Sequence, residues 1–319
     1  MRILITGAAG FLGQRLARRL LSNPNLQHLT LVDLTPPPVP NSDSRVSSLA
    51  ADLARPTASK VLVSADITAV YHLAAVVSGQ AEANFDLGMA VNCDGTRYLL
   101  EAVRHQAPGA KFIFASSLAV FGGDLPEVIA DNTVVQPQSS YGTEKAICEL
   151  WINDYTRKGF IDGRVLRLPT VCVRPGKPNA AASSFASGII REPLQGETAV
   201  CPVDPTLSLW LSSPTAVVNN LIHALSLESA QFTYSRTLNL PGITVTVASM
   251  IDALEAIAGQ TVSSRISYQP DQAISEIVAS WPSRFDTKQA VALGFEGDRN
   301  FQDIIHSFIA ETDVKECRN

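Results

Sequence analysis

Tyr141 and Lys145 stand four residues apart in a segment with helical character, so both side chains project from one face. A phenol with an ordinary pKa of about 10 is a poor base at neutral pH, and a neighbouring ammonium favours the phenolate. The pair is therefore a candidate for taking a proton from an alcohol. At the other end of the chain, Gly7, Gly10 and Gly13 lie between a strand-like run and the start of a helix pattern. There Gly7 permits a tight turn, Gly10 lets the backbone approach a pyrophosphate, and Gly13 lets helix pack on strand, with the helix N-terminus facing the anion. Asp33, twenty residues past Gly13, can accept hydrogen bonds from both hydroxyls of a ribose. An adenosine 2′-phosphate would meet a like charge there, and the following Leu34, Thr35 and prolines bring no arginine, so the expected cofactor is NAD and not NADP. Asp52 and Leu53 are placed to flank the adenine, and Lys145 is placed to reach the nicotinamide ribose. Each feature alone has a plainer counterpart: a tight turn with packing glycines, an acid capping a strand end, or a tyrosine and a lysine on a helix surface.

The elements that must position these residues are legible in the pattern. Compact apolar runs predict strands over residues 2–6, 29–33, 69–73, 111–116 and 164–168, alternating with helical stretches such as 12–21 and 95–104. That alternation predicts an α/β fold with a doubly wound parallel sheet. The prolines at 36, 37, 38 and 40 break regularity, and residues 41–48 read as an exposed loop. Residues 1–175, with a return segment at about 206–241, form the expected nucleotide-binding core. Residues 176–205 and 242–319 form a smaller, largely C-terminal substrate-binding region.

With 25 Lys and Arg against 30 Asp and Glu, the net charge of −5 leaves no phosphate-tracking basic stripe, and nucleic acid is not an expected partner. No stretch approaches the roughly 18–20 apolar residues that cross a bilayer, and no leader precedes the first strand, so a cytoplasmic location without membrane insertion is expected. Cys93, Cys148, Cys172, Cys201 and Cys317 show no metal-site or disulfide spacing and read as buried thiols. No bound metal is expected.

Further pieces appear in a familiar order: residues 6–13, Asp33, Asp52 and Leu53, residues 72–75 and 91–96, Ser117, residues 141–145 and residues 166–176. In these the chain resembles the extended short-chain dehydrogenase/reductases, in their NAD-dependent epimerase/dehydratase branch. The resemblance spans more than half of the chain and implies a Rossmann-type fold with bound NAD. It implies Tyr141 as base, Lys145 as its activator and ribose ligand, and Ser117 as the hydroxyl holding the reacting oxygen, with Ser116 its rival. It further implies a cofactor lined by Phe11, Leu12, Leu73, Ala74 and Ala75, with Pro169 and Thr170 near the nicotinamide and Asn92 bracing the site. His72 reads as a satisfied core histidine, and a homodimer joined through two helices per subunit is the family's expectation.

Two departures narrow the chemistry. Leu118 and Ala119 stand where dehydrating and decarboxylating relatives carry acidic residues, so those reactions lack their extra acid or base. Residues 208–212, Ser-Leu-Trp-Leu-Ser, lack the arginine with which nucleotide-sugar enzymes neutralise a diphosphate. Oxidation of a secondary alcohol with release of the ketone remains. Arg174 is placed to pair with a carboxylate beside the reacting hydroxyl, or else to lock its loop by a salt bridge. Arg191 is a second candidate, and Ser78, Gln80 and Asn179 are candidate partners of substrate hydroxyls. Together the segments are most similar to family members that oxidise C2 of four-carbon sugar acids. A nucleotide-sugar C4-epimerase with tightly bound NAD and a catalytically silent NAD-binding regulator are the alternatives.

Overall fold

A computed structural model describes residues 1–178 and 180–312. The chain opens with β1 (Arg2–Thr6), α1 (Phe11–Leu21), β2 (His28–Asp33), β3 (Val46–Ala50), α2 (Pro56–Leu62) and β4 (Ala69–His72). Two short helices follow, α3 (Ser78–Ala83) and α4 (Phe85–Gly88). A wide π-helical stretch, Met89–Asp94, then leads into α5 (Gly95–Gln106), β5 (Lys111–Ser117), α6 (Ser140–Arg157) and β6 (Asp162–Leu168). The remainder comprises β7 (Thr170–Val171), α7 (Ser184–Leu194), β8 (Ala199–Cys201), β9 (Ser208–Ser212), α8 (Pro214–Ser226), β10 (Thr237–Asn239), β11 (Ile243–Thr246), α9 (Val247–Ala258), α10 (Gln260–Ser263), β12 (Ile266–Tyr268), α11 (Gln272–Ala279), α12 (Lys288–Ala292) and α13 (Phe301–Thr312).

Seven parallel strands form the main sheet in the order β10-β6-β5-β4-β1-β2-β3. Its central strands are buried on both faces. From β1, Ile3 and Ile5 join the side covered by Leu16 and Leu20 of α1 and Leu221 of α8, whereas Leu4 joins the side of Leu99 and Val103 of α5. The period-2 alternation thus feeds two cores, one on each face. A third core gathers Ile189 and Ile190 of α7, Met250 and Leu254 of α9 and Ile304 and Phe308 of α13 beside two small sheets, β11-β9-β7 and β12-β8. This arrangement is the doubly wound α/β fold expected from the sequence.

The loop expected over residues 41–48 holds only in part, because β3 begins at Val46 and pairs in parallel with β2. Its Val-Ser-Ser-Leu-Ala sequence lacks a compact apolar run because it is an edge strand with half of its surface open. Pairing with β2 and a bond from Ser48 Oγ to the Pro37 carbonyl (2.6 Å) hold it in place.

The helix that carries Tyr141 is fixed against β5 and β6. Ser139 caps it, its hydroxyl accepting from the Gly142 amide at 3.2 Å. Gly142 packs so closely on the turn after β5 that a Cβ there would stand 2.1 Å from the Ala119 carbonyl oxygen. Two turns further on, Glu149 accepts the Arg167 guanidinium of β6 (Nη2 to Oε2, 2.7 Å) and the Ser116 hydroxyl of β5 (2.5 Å). Both charged groups are almost fully buried, and Arg167 also lies over the Phe121 ring and donates to Asn239 of β10. Removing one partner of such a pair strands the other charge. Glu149→Ala is expected to lower unfolding free energy in urea by about 3–5 kcal/mol, and replacement of both Glu149 and Arg167 by Met to cost less than that single change.

Candidate active site

A cavity of about 510 Å³ opens over the C-terminal ends of the central strands, where the strand order reverses between β1 and β4. At one end it is lined by Gly7, Gly10, Phe11, Leu12, Gly13, Asp33, Asp52, Leu53 and residues 73–75. Gly7 has φ +72°, and a Cβ on it would stand 2.5 Å from the Ala74 amide nitrogen. A Cβ on Gly13 would stand 2.4 Å from the Gly7 oxygen. Side chains at either position would fill the cradle between β1, α1 and β4. Gly10 precedes α1 with extended backbone and no side-chain cap, so the first amides of the helix are left for an anion. Asp33 Oδ2 accepts from the Ala9 amide (2.9 Å) and Oδ1 from Leu34 (2.8 Å), which turns the carboxylate along the cavity rim with lone pairs to spare. The residues present fit a dinucleotide.

At the other end stand Ser117, Tyr141, Lys145, Pro169, Thr170, Arg174, Ser78 and Gln80. Lys145 Nζ donates to the Ala115 carbonyl at 3.0 Å and lies 4.5 Å from the centre of the Phe114 ring and 5.6 Å from that of Tyr141. Burial pulls the ammonium down to about 8, against the pull of neighbouring Cys148 and Glu144. Burial pushes the Tyr141 phenol up to about 12, while its hydrogen bond with Ser117 and the charge of Arg174 act to lower it. Both serines at the end of β5 border the cavity, but Ser116 gives its hydroxyl to Glu149, and it is Ser117 that meets Tyr141.

His72 is the core histidine that the sequence suggested. Its Nδ1 meets Thr6 Oγ1 at 2.7 Å and its Nε2 meets Thr96 Oγ1 at 2.8 Å, and burial holds it neutral, with a pKa near 3. Asn92, expected among the cofactor residues, does not line the cavity. Its amide is engaged behind it, with the Val76 amide and carbonyl (2.8 and 3.0 Å) and Glu144 Oε2 (2.6 Å), so it ties the strap after β4 to α6. Arg191 is likewise corrected: it is buried, pairs with Glu192 and donates to the Arg174 carbonyl, and does not border the cavity. Arg174 does border it, and among the described residues its guanidinium has no hydrogen-bond or ion-pair partner, so it does not lock its loop by a salt bridge. Ser78 Oγ accepts from the Ala182 amide at 3.1 Å, which leaves its proton for a ligand. Asn179 lies outside the described residues. Gly142, Glu144 and Trp281 were missed; only the glycine carried a signal, its place directly after Tyr141.

The model of the NAD dependent epimerase/dehydratase family matches residues 3–210. The chain belongs to this family. It is 53% identical over 311 residues to a D-erythronate dehydrogenase of Haemophilus influenzae, covering 97% of this chain and 99% of the relative. It is 49% identical over 320 residues to a D-erythronate dehydrogenase of Cupriavidus necator, covering 98% of each. Among solved structures, one from Agrobacterium tumefaciens described as a nucleoside-diphosphate-sugar epimerase superposes with a TM-score of 0.93 at 42% identity, covering 99% of this chain and 96% of that one.

Within this NAD-dependent family the departures seen in the sequence take physical form. Leu118 and Ala119 are buried and offer no acid or base beside Ser117. In β9, Trp210 is buried against Phe285 with ring centres 5.1 Å apart, so no cation projects from that strand. Asp33 is the test of the nucleotide end. Hydrogen bonds to a charged group contribute roughly 1.5–3 kcal/mol, so Asp33→Ser is expected to lower kcat/KM for NAD by about 10- to 150-fold and to narrow the preference over NADP. Initial rates with each cofactor measure both.

Proposed function

We propose that this family member oxidises the C2 hydroxyl of D-erythronate, or of a closely similar small sugar acid, to the 2-keto acid, 2-dehydro-D-erythronate, and releases NADH. The carrying observation is the unpartnered Arg174 guanidinium in the same cavity as Ser117, Tyr141 and Lys145. Among the described residues, the only carboxylates lining that cavity, Asp33 and Asp52, stand at the nucleotide end. A partly buried guanidinium that pairs with no acid among the described residues suits a substrate carboxylate. The two curated relatives named above support the four-carbon acid in particular.

In this reading Arg174 fixes the carboxylate and Ser117 and Ser78 hold substrate oxygens, which sets the C2 hydroxyl against the Tyr141 oxygen. Tyr141 accepts the hydroxyl proton and Ser117 donates to the oxygen that becomes the ketone. Lys145, a cation next to the phenol, favours the phenolate and reaches the nicotinamide ribose. Bound NAD supplies the hydride acceptor. With Leu118 and Ala119 apolar, the ketone meets no second base and leaves as product. The reading also carries over from the family resemblance a cytoplasmic homodimer serving carbohydrate metabolism.

The second reading, a nucleotide-sugar C4-epimerase, is favoured by the description of the Agrobacterium structure and opposed by the absence of a cation on β9. NADH formation with four-carbon sugar acids, set beside interconversion of UDP-sugar epimers, decides between them: steady NADH accumulation with D-erythronate supports the dehydrogenase, and UDP-sugar interconversion without it supports the epimerase.

Tyr141→Phe is expected to lower kcat by roughly 10²- to 10⁴-fold while the protein still binds NAD, because only proton transfer is lost; unchanged activity would remove Tyr141 from the mechanism. Because the deprotonated phenol is the active form, kcat/KM should rise with pH along a limb belonging to the Tyr141–Lys145 pair. Lys145→Met removes the cation that favours the phenolate and should move that limb to higher pH.

A further inference from the structure

Two arginines meet behind the substrate end of the cavity, and they are used differently. Arg174 follows the buried Cys172 and Val173 and precedes Pro175, which restricts its backbone to extended conformations. Its amide donates to Ser187 Oγ at 3.0 Å, and its carbonyl accepts from Arg191 Nη1 at 2.7 Å. Ser187 and Arg191 are one turn apart on α7 and share a face, so a single helix grips both polar groups of the Arg174 main chain. Arg191 is 3% exposed and its remaining fork meets Glu192 Oε1 at 2.5 Å, which fixes its plane. A guanidinium held on two sides is a rigid hydrogen-bond donor, whereas the Arg174 side chain borders the cavity and has no hydrogen-bond or ion-pair partner among the described residues.

We propose that Arg191 is a positioning residue for substrate specificity: from behind, it holds the backbone of Arg174 so that the Arg174 guanidinium meets the substrate carboxylate, without touching the substrate itself. This rests on the reading of Arg174 as the carboxylate ligand. The arrangement gives the second cation a use that a direct ligand could not have, because it neutralises no substrate charge and instead orders the residue that does. With Arg191 neutralised by Glu192, the charge of Arg174, which pairs with no acid among the described residues, makes this end of the cavity favour an anion over a neutral polyol.

The test is a double-mutant cycle on the full-length protein with D-erythronate as the varied substrate and saturating NAD. Arg191→Met is expected to raise the KM for D-erythronate about tenfold, with kcat and the KM for NAD little changed, and to lower the preference for D-erythronate over the neutral tetrol erythritol. Arg174→Met should raise that KM further, and the double variant should be no worse than Arg174→Met alone, since Arg191 acts only through Arg174. Ser187→Ala removes the other tether without exposing a buried charge and should raise the KM in the same direction, again only when Arg174 is present. It carries the test if Arg191→Met does not fold. Losses that multiply in the double variant, a fall in kcat together with a changed KM for NAD, or a Ser187→Ala protein with unaltered KM would each overturn the proposal. If Arg174→Met itself leaves the KM for D-erythronate unchanged, the carboxylate reading fails instead, whatever Arg191 does.

Discussion

The Lys145 ammonium is held out of water at the end of β5, and the surrounding structure is organised to keep it there. Its Nζ donates to one main-chain carbonyl and faces two aromatic rings, and burial in these surroundings draws its pKa down. Such a charge is useful only if its distance to the phenol is fixed. The close contact of Gly142 with the Ala119 carbonyl and, two turns further on, the Glu149–Arg167–Ser116 cluster anchor α6 to β5 and β6, while the Ser139 cap fixes where the helix begins. These contacts make the spacing between Ser117, Tyr141 and Lys145 a property of the fold and not of a mobile loop.

Charge is then partitioned along one cavity. The nucleotide end has uncapped helix amides and the Asp33 carboxylate, while the other end has Arg174 and, among the described residues, no acid. In the proposed function each end would be complementary to one half of the reacting pair, so that cofactor and acid would be oriented before any proton moves. The strap after β4 connects the two ends: Asn92 and Glu144 tie it to α6, and Ser78 holds the segment that follows residue 179.

The doubly wound sheet and the dinucleotide site were legible in the sequence because both rest on local pattern. Each central strand is a short apolar run, and Gly7, Gly10, Gly13 and Asp33 lie within one β-α-β unit. Tyr141 and Lys145 were legible from a helical spacing. Edge strand β3 was not, since a half-exposed strand of Ser and small residues has the composition of a loop. Sequence shows residue type but not which side of an element faces the ligand, so it does not reveal that Arg191 turns away from the cavity or that Asn92 braces it without lining it. Trp281 reaches the cavity from far along the chain, a long-range contact with no local signature.

The most direct test of the account is the fate of the hydrogen on C2. With C2-deuterated D-erythronate and NAD, the deuterium is expected in the NADH formed, with a 2-keto acid released free of label. Deuterium retained in the recovered carbohydrate with no NADH accumulating would contradict it.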